Sequence, residues 1–212
     1  GGWRQIYEAP LILNGARATL SIHGCDEPLE IVKARLNQTK GGSAIHSEAS
    51  ERVAEHGARN ENSCRMLIAA GDRFSRLLAL AMPNSNQSLI FAFDQSSAEF
   101  SKSTPASAES VFPGYSLLPG SRLETIIKNE ETGAALETRI TDAAPRVIIS
   151  EISAKLSRQG WKPVCPAGNH GESKHCFMIF QHGESLCTVM AGPALRESKT
   201  CVTILLKEKN GQ

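Results

Sequence analysis

Apolar positions along the chain gather into short runs separated by turn chemistry. The clearest are His175–Gln181, Leu186–Ala191 and Cys201–Leu206, split by brief polar segments. An earlier stretch, Ser63–Asp94, holds a similar trio: Arg65–Ala70, Phe74–Ala81 and Ser88–Phe93. Gly71-Asp72 and Pro83-Asn84-Ser85-Asn86 separate those runs. Short apolar runs bounded by Gly, Pro and Asn predict strands, so each trio predicts an antiparallel meander.

Each trio is preceded by a hairpin and a helix. Leu11–Leu13 and Ala18–His23 flank Asn14-Gly15, a dipeptide that supplies the positive φ angles of a tight hairpin turn. Arg122–Lys128 and Ala134–Thr141 flank Asn129–Gly133 in the same way. Asp26 then stands before Glu27-Pro28, and Asp142 before Pro145; both place a capping residue ahead of a helix-starting proline. Leu29, Ile31, Val32 and Leu36 predict a helix from Pro28 to Gln38, and Val147, Ile148, Ile152 and Leu156 predict a second. Gly160 is a natural end for that second helix, with Trp161 packing back on the helix or the sheet edge.

The doubling extends to single positions. Cys64/Cys176, Met66/Met178, Gly71/Gly183 and Ala79/Ala191 share one ungapped offset, and Ser88/Thr200 and Ile90/Val202 keep it. The expected fold is therefore α+β: two similar halves, each a strand-strand-helix-three-strand antiparallel sheet with one main helix on one face. Residues 1–95 would form the first half, with a polar insertion near 39–63 that includes a short helix over Glu48–Glu55. Residues 96–118, rich in Ser and carrying Pro105 and Pro113, read as a linker, and 119–212 form the second half.

Totals narrow the functional classes. A chain of 212 residues is comfortable for two small domains and needs neither metal nor disulfide to fold. Its net charge is +1 and aromatics are 5%, so a cationic, base-stacking surface for nucleic acid is not expected. No apolar run reaches the roughly 20 residues of a transmembrane helix. The opening Gly-Gly-Trp reads as a trimmed end from which an export signal has been removed. Six cysteines suit an oxidising compartment, although six reduced, buried thiols in the cytosol satisfy the same count.

Candidate chemistry concentrates in Cys165–Cys176, which also holds His170 and His175. Two thiols and two imidazoles in one loop suggest zinc, but their spacing matches no finger or ribbon. Adjacent His175 and Cys176 would also point to opposite faces of a strand. A Cys165–Cys176 disulfide closing the loop, or a pair of part-buried thiols, are the competing readings. Cys64 and Cys176 fill matching repeat positions, while Cys187 and Cys201 lie on neighbouring strands and read as core fillers. His23 with Cys25 admits a Cys-His nucleophile, without any mark of an oxyanion hole. His46, His56 and His182 are isolated, Glu130-Glu131 reads as a solvated turn, and no Gly-x-Ser-x-Gly or His-Glu-x-x-His occurs. No residue is assigned as catalytic, cofactor-binding or metal-ligating.

Pro119-Gly120-Ser121, Pro145 and Gly160-Trp161 carry a resemblance. The second half is similar to a loose group of uncharacterised bacterial exported proteins with a Pro-Gly-Ser opening, a hairpin, a Pro-started helix and a following Gly-Trp. The first half shares only Asn14-Gly15 and Pro28. The resemblance implies an envelope or periplasmic location and no known activity, so it supplies no site residues. The resulting expectation is a non-enzymatic accessory or interaction protein of a bacterial envelope, with no cofactor and another envelope protein as partner. The alternative is a small-ligand or metal-binding protein using a cleft between halves or the Cys165–Cys176 loop.

Overall fold

The computed structural model describes residues 3–38, 63–104, 110–112, 118, 120–164, 175–194 and 199–208. The expected insertion helix over Glu48–Glu55, and the residues Cys165, His170, His46, His56 and Pro119, lie outside them. Among the described residues there are eleven strands: β1 Arg4–Leu13, β2 Ala16–Cys25, β3 Ser63–Ala70, β4 Arg73–Ala81, β5 Ser88–Ser96, β6 Arg122–Asn129, β7 Ala134–Thr141, β8 Lys162–Pro163, β9 Cys176–His182, β10 Ser185–Pro193 and β11 Thr200–Lys207. The helices among the described residues are α1 Leu29–Gln38, α2 Ser97–Lys102 and α3 Pro145–Arg158.

The α+β expectation of two similar halves, each with its own sheet and one main helix, is corrected. The chain is dominated by one antiparallel sheet of eleven strands, in the order β3-β4-β5-β2-β1-β6-β7-β11-β10-β9-β8. The physical reason lies at the end of β1. Ile12 and Leu13 pair with Lys128 and Ile127 of β6, so β6 has a hydrogen-bonded neighbour on each side. A periodicity reading finds strands but cannot see which strand edge will be paired.

By chain contact the protein divides into two units, one of Gly1–Leu11 with Ala16–Lys102 and one of Ile12–Gly15 with Ser103–Gln212. In the first, α1 lays Leu29, Val32 and Leu36 on Cys25, Leu77, Ala79, Ile90 and Ala92. Ile31, one position off that stripe, is exposed. The opposite face of the same strands is partly covered by α2, whose Phe100 stacks on Phe74 with ring centroids 4.2 Å apart. The Arg76 guanidinium carbon lies 4.4 Å from the Phe100 ring centre. Burial lowers that guanidinium from its ordinary value. Glu99 of α2 accepts the Arg17 amide at 2.8 Å, and that bond, helped by Lys102, holds its carboxyl below the usual carboxylate range.

In the second unit, α3 packs Ile148, Ile149, Ile152 and Leu156 on Met178, Phe180, Cys187, Val189, Ala191, Val202, Ile204 and Leu206. Val147, expected in the stripe, is 48% exposed, and Ile149 takes its place on the other side of Ile148. The helix ends as the sequence predicts. Gly160 adopts φ 85°. Its amide donates to Ser157 O at 3.1 Å and the Trp161 amide donates to Leu156 O at 3.1 Å. This pair of bonds is a Schellman closure, in which a left-handed residue lets the next side chain fold back on the last turn. Trp161 is accordingly buried and meets Phe112 edge-on at 6.0 Å.

Two polar groups organise this unit from inside. Asn14, at φ 50°, donates its amide to Ile126 O and accepts the Ile126 amide on its side-chain oxygen, both at 2.8 Å. Glu137, 1% exposed, forms an ion pair with Arg139 and accepts the Ser110 hydroxyl at 2.7 Å and the Val111 amide at 2.8 Å. Val111 and Phe112 then enter the core beside Leu118.

Candidate functional site

Alternation along β9, β10 and β11 sends Met178, Phe180, Cys187, Val189, Ala191, Val202 and Ile204 toward α3 and their neighbours outward. The outward set includes Gln181, Thr188, Thr203 and Lys207 but also four large apolar side chains: Phe177, Leu186, Met190 and Leu205 are 47%, 43%, 44% and 41% exposed. A half-solvated antiparallel sheet ordinarily carries polar side chains there.

At one end of this outward face the register builds a recess. Cys201 lies opposite Gly192, and Met190 lies between Phe177 and Thr203. His175 immediately precedes β9, one position beyond the Cys176–Ala191 pair, which places it beside Gly192. Gly192 has no side chain, and the His175 ring leans into the space. A Cβ built on Gly192 would lie 2.4 Å from His175 Nδ1 and 3.0 Å from Cε1. The resulting cavity, about 360 Å³, is lined by His175, Cys176, Phe177, Met190, Cys201 and Thr203 among others, and the lining is mainly apolar.

The sequence candidates distribute differently. Among the described residues none of the five cysteines Cys25, Cys64, Cys176, Cys187 and Cys201 is joined to another by a disulfide. Cys165, the expected partner of Cys176, lies outside the described residues, as does His170. Cys187 is fully buried opposite Leu206, and burial pushes its thiol up to about 12. Cys187 and Cys201 face opposite sides of the sheet. Cys64 and Cys176, matched by the sequence offset, each stand opposite the matched alanine, Ala79 and Ala191.

His23 and Cys25 share a face, yet their nearest polar atoms are elsewhere. His23 Nε2 lies 3.0 Å from the Ser21 hydroxyl, and the Cys25 thiol lies 3.7 Å from Glu27 Oε2. The geometry gives no imidazole-activated thiol there. His182 rests against Trp161, centroids 5.5 Å apart. Among the described residues no three His, Cys, Asp or Glu side chains converge on a point that would hold a metal ion.

Sequence reasoning missed Met190, Gly192, Cys201 and Thr203 as a group. The available signal was Gly192, a glycine interrupting an otherwise well-filled strand, which often marks close approach by another group. What stayed hidden was the register that sets Cys201 on one side of it and His175 on the other. No described helix is long and apolar enough to cross a membrane. Compared with family models, with curated proteins and with solved structures, the chain finds no match in any of the three.

Proposed function

We propose that the protein is a non-enzymatic accessory or interaction protein of a bacterial envelope, and that it presents the outward face of β9–β11 to a protein partner. The observation that carries this reading is the exposure of Phe177, Leu186, Met190 and Leu205 on one face of three neighbouring strands. Scattered apolar residues on a surface are ordinary, but a contiguous set on a sheet favours burial against a second surface. The envelope location rests on the sequence resemblance and on the even cysteine count, and the partner would be another envelope protein.

A photo-cross-linking residue at Leu205 tests this in envelope extract, with Ser150 on the exposed side of α3 as control. The reading expects one discrete adduct from position 205, none from 150, and loss of the adduct in Leu186→Glu. Equal labelling from both positions, or no adduct at all, would overturn it. Fractionation of the natural full-length protein checks the location: retention in the cytosol would remove the envelope part of the reading.

A further inference from the structure

The recess at the end of β9–β11 gathers an imidazole, a thiol and a thioether along one cavity. We propose that His175, Cys201 and Met190 form a binding site for a soft monovalent metal ion, copper(I). The site shares Met190 with the face offered to a partner but requires no second protein, so the copper titration tests it independently of the cross-linking.

Three observations carry it. Gly192, opposite Cys201 on β11, leaves a gap on its other side, and His175, just before β9, fills that gap with its Nδ1 edge. Opposed strand residues place their Cβ atoms about 4.5–5.5 Å apart, and His175 Nδ1 stands close to where a Gly192 Cβ would be, which puts it within about one side-chain length of Cys201. Met190 shares the face one pleat along, diagonal to Cys201; diagonal neighbours lie about 7–8 Å apart, within reach of a long, flexible side chain. All three residues line one cavity of about 360 Å³.

The donors select the ion. Thiolate and thioether are soft ligands that favour copper(I), and imidazole also suits copper. Zinc wants four N, S or O ligands, and no such cluster occurs among the described residues. Charge points the same way. On binding, the Cys201 thiol loses its proton to solvent. One thiolate then balances one monovalent cation, while the imidazole and thioether remain neutral. The occupied site has no net charge, which suits a mainly apolar recess; a divalent ion would leave an excess positive charge there.

The test is an anaerobic titration of the fully reduced protein with copper(I), in competition with a chromogenic copper(I) chelator. Silver(I) serves as an air-stable second probe, and circular dichroism checks each variant for folding. The expected result is one equivalent of copper(I) withheld from the chelator and no stoichiometric zinc binding. Cys201→Ser, Met190→Leu and His175→Gln should each weaken binding by about tenfold or more. Gly192→Ala should do the same with all three ligands intact, because its added Cβ displaces the His175 ring. Cys64→Ser, in the other unit, should leave binding unchanged. The proposal is overturned if no equivalent is withheld, or if binding survives Cys201→Ser, including the case in which Cys165→Ser abolishes it instead.

Discussion

The carboxylate of Glu137 receives the backbone amide of Val111 at 2.8 Å, inside the second unit and almost out of reach of solvent. Its other oxygen pairs with Arg139, which also reaches the Ser121 hydroxyl at 3.2 Å. Removing one partner from such a pair leaves a buried, uncompensated charge. Glu137→Ala is therefore expected to destabilise the unit by about 3–5 kcal/mol in urea unfolding. The double variant Glu137→Leu with Arg139→Met should recover part of that loss, since no buried charge remains. A single-variant effect below about 1 kcal/mol would show that the pair is solvated in solution.

How much of this was legible beforehand follows from the range of each interaction. The hairpin at Asn14-Gly15 and the helix end at Gly160-Trp161 were readable, because each is a local demand for a left-handed backbone. The choice of Ile149 over Val147 depends on which side of Ile148 faces the sheet, and apolar periodicity leaves that open when three branched residues stand in a row. Alternation along β7 groups Glu137 with Arg139 and Thr141, away from Leu136 and Ile140, and so reads it as solvated; its buried role needs Ser110 and Val111, which polar composition assigned to a linker. The recess at Gly192 escaped for the same reason. Its members come from three strands, and only pairing register brings them together.

Asn14 offers a way to separate backbone strain from hydrogen bonding. Asn14→Gly keeps the positive φ at no steric cost but loses the bond to the Ile126 amide, for an expected loss of about 1–3 kcal/mol. Asn14→Ala loses the same bond and also forces a Cβ residue into the left-handed region, adding about 1 kcal/mol. Thermal or urea denaturation of the two variants should rank them in that order; equal losses would mean that the turn relaxes.

Cys187 predicts a pH dependence with a definite sign. Its thiol is pushed up to about 12 in the folded protein, while the unfolded chain releases the proton near the ordinary cysteine value of 9.0. Below that value both states hold the proton and stability is unaffected. Between about pH 9 and 12 the unfolded state alone loses it, so stability falls by about 1.4 kcal/mol per pH unit. Cys187→Ala should remove this slope, and the difference between wild type and variant isolates it from other groups. The same burial predicts that Cys187 resists alkylation in the folded state.

Phe100 holds α2 in place. A six-residue helix has little stability of its own, so its packing decides whether it forms. Phe100→Ala removes the stack on Phe74 and the seat under Arg76, with an expected cost of about 2–3 kcal/mol. It should also free the Arg17 amide from Glu99. Hydrogen exchange at Arg17 reports that step directly, and unchanged protection would show that α2 is held by other contacts.

The bond between Asn14 and the Ile126 amide joins positions 112 apart in the chain. During synthesis at about 5–20 residues per second, Asn14 emerges roughly 6–22 seconds before its partner exists. Until then the turn has formed but its carboxamide has nothing to hold. The second unit completes its β6 pairing only when Ile12 and Leu13 meet residues more than a hundred positions later in the chain. Such late, long-range pairing slows folding and leaves a strand edge open to other chains in the interval. Asn14 is thus a turn residue whose carboxamide closes a loop of more than a hundred residues, so its bond is among those that long-range folding must reach last.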